Sequence, residues 1–297
     1  MNISIIGGDL RIIKLAEMYA EENNVVYTYG LEKYFENNTN NKNIILCKNL
    51  KEAITNSKYI ISSIPFTKDK INLNSPFTNN NITIEDLKNK VFDENGEKIF
   101  LAGGIPLEYY HQKKENKIDN IELVDLLEIE ELTILNAIPT VEGTVKIAIN
   151  EREETIHESN VLVCGFGRIG KILCDRFSKL GANIYCTARK DTDFAWIREK
   201  RYMPLKYSEL QYYLNKIDIA INTVPHIVLG KEQLDLLNKD TLIIDLASSP
   251  GGVDTIYAKE IGLNAITALG IPGKEMPKTA AKYIKKIIDN IINQKKI

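Results

Sequence analysis

The 297-residue sequence has little of what builds small stapled domains: it holds four cysteines, three histidines and one tryptophan. Cys47, Cys164, Cys174 and Cys186 form no C-x-x-C pair. Three of them fall inside apolar strand or helix patterns, where a free thiol is a small core residue. Neither sign of charge is in excess, since 38 Lys and Arg stand against 40 Asp and Glu for a formal net charge of -2. That excludes an overall basic field able to gather nucleic acid or anionic lipid, and leaves only local patches open. No long hydrophobic run opens the chain: Met1 to Gly8 lacks a charged leader and its apolar stretch is brief. It reads as a buried first strand of a cytoplasmic protein rather than a signal or an anchor. What is present, 44% hydrophobic and 26% charged residues, is the globular average, and the length is about twice that of one domain.

Short apolar runs alternate with amphipathic stretches, as βαβ units with a buried parallel sheet require. The scheme occurs twice. The first half places strands at 3–6, 25–29, 44–47, 59–64 and 98–102, with helices over 10–22 and 50–57. The second half places strands at 161–164, 182–187, 217–223, 241–247 and 264–268. Punctuation agrees between the halves, because Gly7 precedes Pro65 by 58 positions and Gly165 precedes Pro225 by 60. The expected fold class is α/β, with two doubly wound Rossmann-like domains in a dehydrogenase-like arrangement. The expected domains are 1–130, a connecting helix over 131–150 that Pro139 and Gly143 kink or restart, a dinucleotide domain over 151–275, and a terminal helix over 276–297. That last helix carries Ala281, Ile284, Ile287, Ile288, Ile291 and Ile292 on one face and Lys282, Lys285, Lys286 and Asn290 on the other. The pattern suits docking back on the fold, with a membrane-surface helix as the alternative. The Asn-rich stretches 37–43 and 79–81 read as solvated loops.

Val161-Leu162-Val163-Cys164 runs directly into Gly165-Phe166-Gly167-Arg168-Ile169-Gly170 and then an amphipathic helix. This is G-x-G-x-x-G in the setting that gives it meaning. The first glycine permits the turn, the second lets backbone approach a pyrophosphate, and the third lets helix and strand pack closely. The helix N-terminus offers N–H groups to the phosphates. An acidic residue about twenty positions on would bond the ribose 2′-hydroxyl of NAD. Here Thr187-Ala188-Arg189-Lys190 ends the second strand with a hydroxyl and two cations. That favours the 2′-phosphate of NADP, while a solvated strand exit keeps NAD open. Asn222-Thr223-Val224-Pro225 and Asp245-Leu246-Ala247-Ser248 fall at the carboxyl ends of later strands, and are expected to border the nicotinamide side of the cofactor. Gly251-Gly252 and Gly270 to Gly273 read as loops admitting cofactor or the other domain.

The counterpart loop Gly7-Gly8-Asp9-Leu10-Arg11 lacks a third glycine, so a second dinucleotide is not expected. Asp9 and Arg11 flank a helix N-terminus and are candidates for a carboxylate-bearing substrate, with Asp9 as N-cap and Arg11 as a solvated first-turn residue as the alternative. Ser62, Ser63, Gly103 and Gly104 end strands of the same domain and join the candidate substrate side. Thr140 and Gly143, at the expected helix break, would free N–H groups for an anion, and Thr140 and Glu142 would bond substrate. His226 is the histidine at a strand end facing the cofactor, and is a candidate catalytic group beside Glu142 and Thr140. His111 is read as following a helix and His157 as lying on the linker. No Arg, Glu and His set of the hydroxy-acid dehydrogenase kind is found on the cofactor half, and no metal-ligand set is recognised.

Together, Gly7-Gly8-Asp9-x-Arg11, Ile138 to Thr144, the Gly165 turn, Ile221 to Pro225, Asp245 to Gly252 and Gly270 to Gly273 before Pro277-Lys278-Thr279-Ala280 resemble the family of dipicolinate synthase A subunits over nearly the whole chain. Lys274-Glu275-Met276 and His226 depart from the family pattern. The resemblance implies synthesis of pyridine-2,6-dicarboxylate, the calcium chelator of endospores, from a dihydro- or hydroxytetrahydro-precursor. It implies a flavoprotein-like second subunit (the B subunit) and the cytoplasm of a sporulating mother cell; hydride loss driven by aromatisation then fits the NADP read from the strand end, with Glu142 or water as our candidate to take the proton. A homo-oligomer is also open; nucleic acid and membrane are not expected partners. Two other readings stay open: another NADP-dependent two-domain dehydrogenase of a small carboxylic acid, and a nucleotide-sensing partner subunit.

Overall fold

Strands that are apolar along their whole run need cover on both faces, and this is how both sheets are built. In the computed structural model, which describes residues 1–38 and 41–295, two six-stranded parallel sheets form. The first unit comprises Met1–Leu135 with Met276–Ile297, and the second Asn136–Glu275. The first holds β1 (Asn2–Ile6), α1 (Leu10–Glu21), β2 (Val25–Tyr29), α2 (Glu32–Asn38), β3 (Ile44–Leu46), α3 (Leu50–Thr55), β4 (Tyr59–Ser62), α4 (Ile84–Phe92), β5 (Lys98–Ala102), α5 (Leu107–Glu115) and β6 (Ile121–Asp125). Helix α6 (Glu130–Asn150) follows. The second unit holds β7 (Asn160–Cys164), α7 (Arg168–Lys179), β8 (Asn183–Thr187), α8 (Asp191–Glu199), β9 (Met203–Leu205), β10 (Ile219–Asn222), α9 (Lys231–Leu234), β11 (Leu242–Asp245), α10 (Thr255–Glu260), β12 (Asn264–Thr267) and α11 (Ile271–Lys274), and α12 (Pro277–Gln294) ends the chain.

The sheet orders are β3-β2-β1-β4-β5-β6 and, read from the far edge, β9-β8-β7-β10-β11-β12. These are the same doubly wound order. Residues two apart on a strand share a face. On β7, Val161 and Val163 enter one core while Leu162 and Cys164 enter the core on the opposite face. Ile3 and Ile5 of β1 likewise share one core and Ile6 enters the other. All four cysteines are buried and free.

The face of α12 carrying Ala281, Ile284, Ile287, Ile288 and Ile292 is used in the core of the first unit, against Ile12, Leu15 and Ala16 of α1. Lys285 pairs with Asp289 and Glu22, and Lys286 with Glu131. The Asn-rich stretch 37–43 runs through positions 39 and 40, and the last two positions of the expected terminal segment are 296 and 297; these four lie outside the described residues.

The expected break in the connecting helix does not occur. Helix α6 is continuous over 21 residues with Pro139 inside it. A proline costs the helix one donor, to the carbonyl four residues back, here Leu135. The hydroxyls of Thr140 and Thr144 donate to the carbonyls of Asn136 (3.0 Å) and Thr140 (2.8 Å), so the turns after it keep their polar groups paired. Gly143 serves packing rather than a break, since a Cβ there would stand 2.2 Å from Cγ2 of Ile271 on α11. Gly270 to Gly273 is correspondingly no open loop: Ile271, Pro272 and Gly273 are buried in α11. Among the described residues α6 is the one helix long and apolar enough by composition to cross a membrane. Its apolar side chains are used in protein cores, Leu132 in the first unit and Val141 and Ala148 in the second.

Candidate functional site

In the second unit the carboxyl ends of β7, β8, β10 and β11 come together around the turn 165–170. Gly165 has φ +98°, a conformation that costs other residues strain, and a Cβ on it would press on Oγ1 of Thr223 at 2.7 Å. Its N–H donates to Oγ1 of Thr187 (3.0 Å), and the Thr223 hydroxyl donates to the carbonyl of Cys164 (2.8 Å). Two threonines from neighbouring strands therefore hold the turn from both sides. Gly170 lies so close beneath it that a Cβ would stand 2.0 Å from the carbonyl oxygen of Gly165. Gly167 is the opposite case. It is exposed, nothing lies within 4 Å of where its Cβ would be, and it opens α7 without a side-chain cap. An uncapped helix end beside open space fits a pyrophosphate group.

Phe166, Arg168 and Ile169 are expected from the sequence to bind cofactor. The Phe166 ring is 8% exposed, packed in the core with the Lys171 ammonium 5.5 Å from its centroid, so only its backbone remains for a ligand. Arg168 is exposed and Ile169 half-buried at the head of α7. Thr187 corrects its expected role: fully buried and bonded to Gly165, its hydroxyl shapes the turn and is withheld from a 2′-phosphate. Ala188 is buried, whereas Arg189 and Lys190 are exposed where the chain leaves β8. Tyr207, just beyond β9, sits against Thr187 and Arg189; burial raises its phenol above the usual range, with both neighbours pulling the other way.

Asn222 and Asp245, expected to border the nicotinamide, are buried organisers of the loops around it. The Asp245 carboxylate accepts from Asn222 Nδ2 (2.8 Å) and from the N–H groups of Ala247 (3.1 Å), Gly252 (2.9 Å) and Val253 (3.3 Å). Asn222 also clasps Val224, donating to its carbonyl and accepting from its N–H. Gly252 fits against this knot, where a Cβ would meet Asn222 Nδ2 at 2.1 Å; it closes the loop and does not admit a ligand. Val224 is half-buried, Leu246 and Ala247 are buried, and Pro225, Ser248 and His226 are exposed at the rim. The thiols of Cys164 and Cys186 beneath the turn are pushed well above the thiol range, the first by burial, the second by its bond with Cys174 and by burial, so both stay neutral.

The first unit disposes of its candidates differently. Asp9 is the N-cap of α1, accepting from the N–H of Arg11 (3.0 Å), and its carboxylate grips the Arg11 guanidinium at 2.7 Å. Asp9 is thus the cap that the alternative reading expects, whereas Arg11, expected there as a solvated first-turn residue, is 4% exposed and donates to the carbonyl of Ile64, turned inward and away from a substrate. Ser62 and Ser63 are fully buried and donate to the carbonyls of Ile6 (2.9 Å) and Phe66 (3.0 Å). The Gly103 N–H donates to the carbonyl of Ser63 (3.1 Å), and those of Gly104 and Ile105 to the Asp125 carboxylate (2.9 and 2.8 Å). Over the turn itself, the Gly8 N–H donates to the carbonyl of Asn74 (2.8 Å) and a Cβ on Gly7 would stand 2.6 Å from Leu73. The segment 63–83 thus covers the turn. Thr140 and Gly143 are committed within α6, as above, and leave exposed Glu142 as its candidate proton acceptor. His111 lies within α5, not after it.

Sequence reasoning missed the covering segment 63–83, the Asp125 clasp and the Asp245 knot. Only the last left a signal, the glycine pair that follows an acidic strand end and closes at its seventh residue.

An uncapped glycine turn at the head of a helix in a doubly wound sheet, next in sequence to a second sheet of the same order, defines a two-domain protein of the dehydrogenase type with one nicotinamide dinucleotide-binding domain. Residues 2–127 match the N-terminal domain of the dipicolinate synthase A subunit, and residues 140–251 the D-isomer specific 2-hydroxyacid dehydrogenase, NAD binding domain. The dipicolinate synthase A subunit of Bacillus subtilis (strain 168) is 32% identical over 298 residues, covering 98% of this chain and 96% of the relative. Crystal structures of the dipicolinate synthase A subunits of Bacillus subtilis (TM-score 0.82, 30% identity, 99% of this chain and 96% of that one) and of Bacillus halodurans (0.82, 28%, 98% and 97%) match it along its length. The chain belongs to the family of dipicolinate synthase A subunits.

Proposed function

We propose that the chain carries out the dehydrogenation that yields pyridine-2,6-dicarboxylate from a dihydro- or hydroxytetrahydro-precursor, with NADP in preference to NAD, as the A subunit of an enzyme with a second, flavoprotein-like subunit in the cytoplasm of a sporulating cell. The observation that carries this is the open helix head at Gly167, held by Thr187 and Thr223, in a chain of this family. When bound, the nicotinamide supplies a hydride acceptor. The residues of the chain do the rest. The backbone of 165–170 receives the pyrophosphate, and Arg189 and Lys190, exposed at the end of β8, receive the 2′-phosphate. Pro225, His226 and Ser248 line the rim on the nicotinamide side, on loops fixed by the Asn222–Asp245 knot. From the dihydro-precursor, loss of a hydride and a proton aromatises the ring, and a hydroxytetrahydro-precursor must first lose its hydroxyl as water; no strong base is needed, and exposed Glu142 is the proton acceptor we assign.

The test mixes purified chain, with and without its partner subunit, with NADP or NAD and enzymatically made precursor, following cofactor reduction and dipicolinate absorbance together. Parallel appearance of both, faster with NADP, is expected. Dipicolinate formed while the cofactor stays oxidised would overturn the assignment. Arg189→Ala is expected to narrow the preference for NADP, and Glu142→Gln to slow turnover without weakening cofactor binding; a fully active Glu142→Gln enzyme removes that residue from the mechanism.

A further inference from the structure

The sequence offers two cations for a 2′-phosphate, and the sheet brings a third beside them. Strands β8 and β9 pair in parallel with Cys186 opposite Pro204 and Thr187 opposite Leu205. The pairing continues one step further, since the Ala188 N–H donates to the carbonyl of Leu205 (3.4 Å). Lys206 therefore stands level with Ala188, next to the point where Arg189 and Lys190 leave the sheet. Side chains alternate along a strand. Thr187 and Leu205 face one side, with Leu205 in the core that also holds Cys164. Ala188 faces the other, in the core shared with Phe194 of α8. Lys206 takes the Ala188 side, at the edge of a cavity of about 660 Å³ that Asp191, Phe194, Arg198 and Glu209 also line and that Arg189 and Lys190 adjoin in sequence without lining it.

The three cations are exposed, and among the described residues no ion pair joins any of them to an acid. Acids are close at hand. Glu209 uses its carboxylate to accept the Lys206 backbone N–H (2.9 Å), and Asp191 lies in the first turn of α8, where a negative side chain is favoured by the helix itself. Three exposed cations at the ends of two neighbouring strands, with the Glu209 carboxylate engaged by backbone, suit a dianionic group.

We propose that Lys206 is a specificity-determining residue, the third cation of a 2′-phosphate site formed with Arg189 and Lys190. The inference rests on the NADP reading given above and adds to it a residue from a different strand. Lys206 supplies a point charge and Arg189 a planar fork, so the two divide charge and orientation between them.

Adenosine 2′,5′-bisphosphate and 5′-AMP differ by the 2′-phosphate alone, and both can be titrated calorimetrically into the full-length chain without turnover. The unaltered chain is expected to bind the bisphosphate more tightly. Lys206→Gln should weaken the bisphosphate by about tenfold, the scale of one charge-assisted contact, and leave 5′-AMP unchanged; Lys206→Arg should restore most of the loss. Equal melting temperatures for the three proteins separate this from misfolding. If Lys206→Gln keeps full discrimination while Arg189→Gln loses it, Lys206 is no part of the site and the NADP reading survives. If the unaltered chain does not discriminate, the NADP reading fails and this inference with it.

Discussion

The turn after β1 and the turn after β7 occupy the same place in the same strand order, yet one is sealed and the other is open. Three differences separate them. Residues 63–83 follow β4 and fold back over Gly7 and Gly8, whereas residues 223–230 follow β10 and stop at the side of Gly165. Helix α1 is capped by its own Asp9, and α7 begins at a glycine with no side chain to give. Arg11 is drawn inward onto Asp9 and Ile64, whereas Arg168, at the head of α7, is exposed. Topology thus provides two anion-ready helix ends, and the residues around each decide whether protein or ligand satisfies them.

The sharpest break in this comparison is Gly170→Ala. Alanine in a helix ordinarily gains up to about 1 kcal/mol over glycine. Here the new Cβ would meet the carbonyl of Gly165 at 2.0 Å, a backbone atom that cannot swing aside. We expect a net loss of about 3 kcal/mol or more in urea unfolding and no measurable dinucleotide binding by calorimetry. Unchanged binding would mean that close approach of helix to turn is not what shapes the open site.

In the sealed turn the matching change is Asp9→Ala. It removes an N-cap, costing about 1 kcal/mol, and strands a buried guanidinium, which brings the expected loss to about 3 kcal/mol. Dinucleotide affinity of the folded fraction should not move. If it falls severalfold while the protein stays folded, the first unit is not the passive partner that its sealed turn implies.

Buried thiols give the two units a shared dependence on pH. Burial pushes Cys47 up to about 11, and Cys164 and Cys186 lie higher still. A thiol whose acidity is suppressed in the folded chain favours folding fully below its unfolded value of about 8.5, and that contribution is lost as pH rises toward the folded one. Stability should therefore decline through the alkaline range, by about 2 kcal/mol for Cys47 alone once solvent screening is allowed for. Subtracting the pH profile of Cys47→Ala from that of the unaltered chain isolates this share; identical profiles would contradict it.

What is legible in the sequence is whatever repeats locally. Short apolar runs at 161–164 and 3–6 locate the central strands, and three glycines between a strand and an amphipathic helix locate the cofactor turn. Strands β6 and β9 leave no such mark: Met203-Pro204-Leu205 is too short to show a period, and Ile121-Glu122-Leu123-Val124-Asp125 carries charge at an edge position. The candidate substrate side fails for a different reason. Arg11, Ser62 and Gly104 have the right chemistry, but their partners (Ile64, Ile6 and Asp125) are set by long-range folding, and no local pattern shows that a polar group is already engaged. Pro139 misleads in the opposite direction. Proline reads as a break, but a helix anchored by cores on either side of it tolerates one missing bond.

The smallest effect on stability is expected where the comparison is most exposed, at Gly167. Its φ of -80° is open to any residue, and no atom lies within 4 Å of the position a Cβ would take. Gly167→Ala should therefore leave the unfolding curve of the chain within about 0.5 kcal/mol of the original, as surface substitutions usually do. The same methyl would project into the space where backbone and pyrophosphate approach each other, so dinucleotide affinity should fall by about tenfold or more. A stability change with no loss of affinity would mean that the space around Gly167 belongs to the protein's own packing. A loss of affinity at constant stability would mark the open turn as the place where the second unit differs in function from the first, because among the described residues none meets the added methyl and a ligand would.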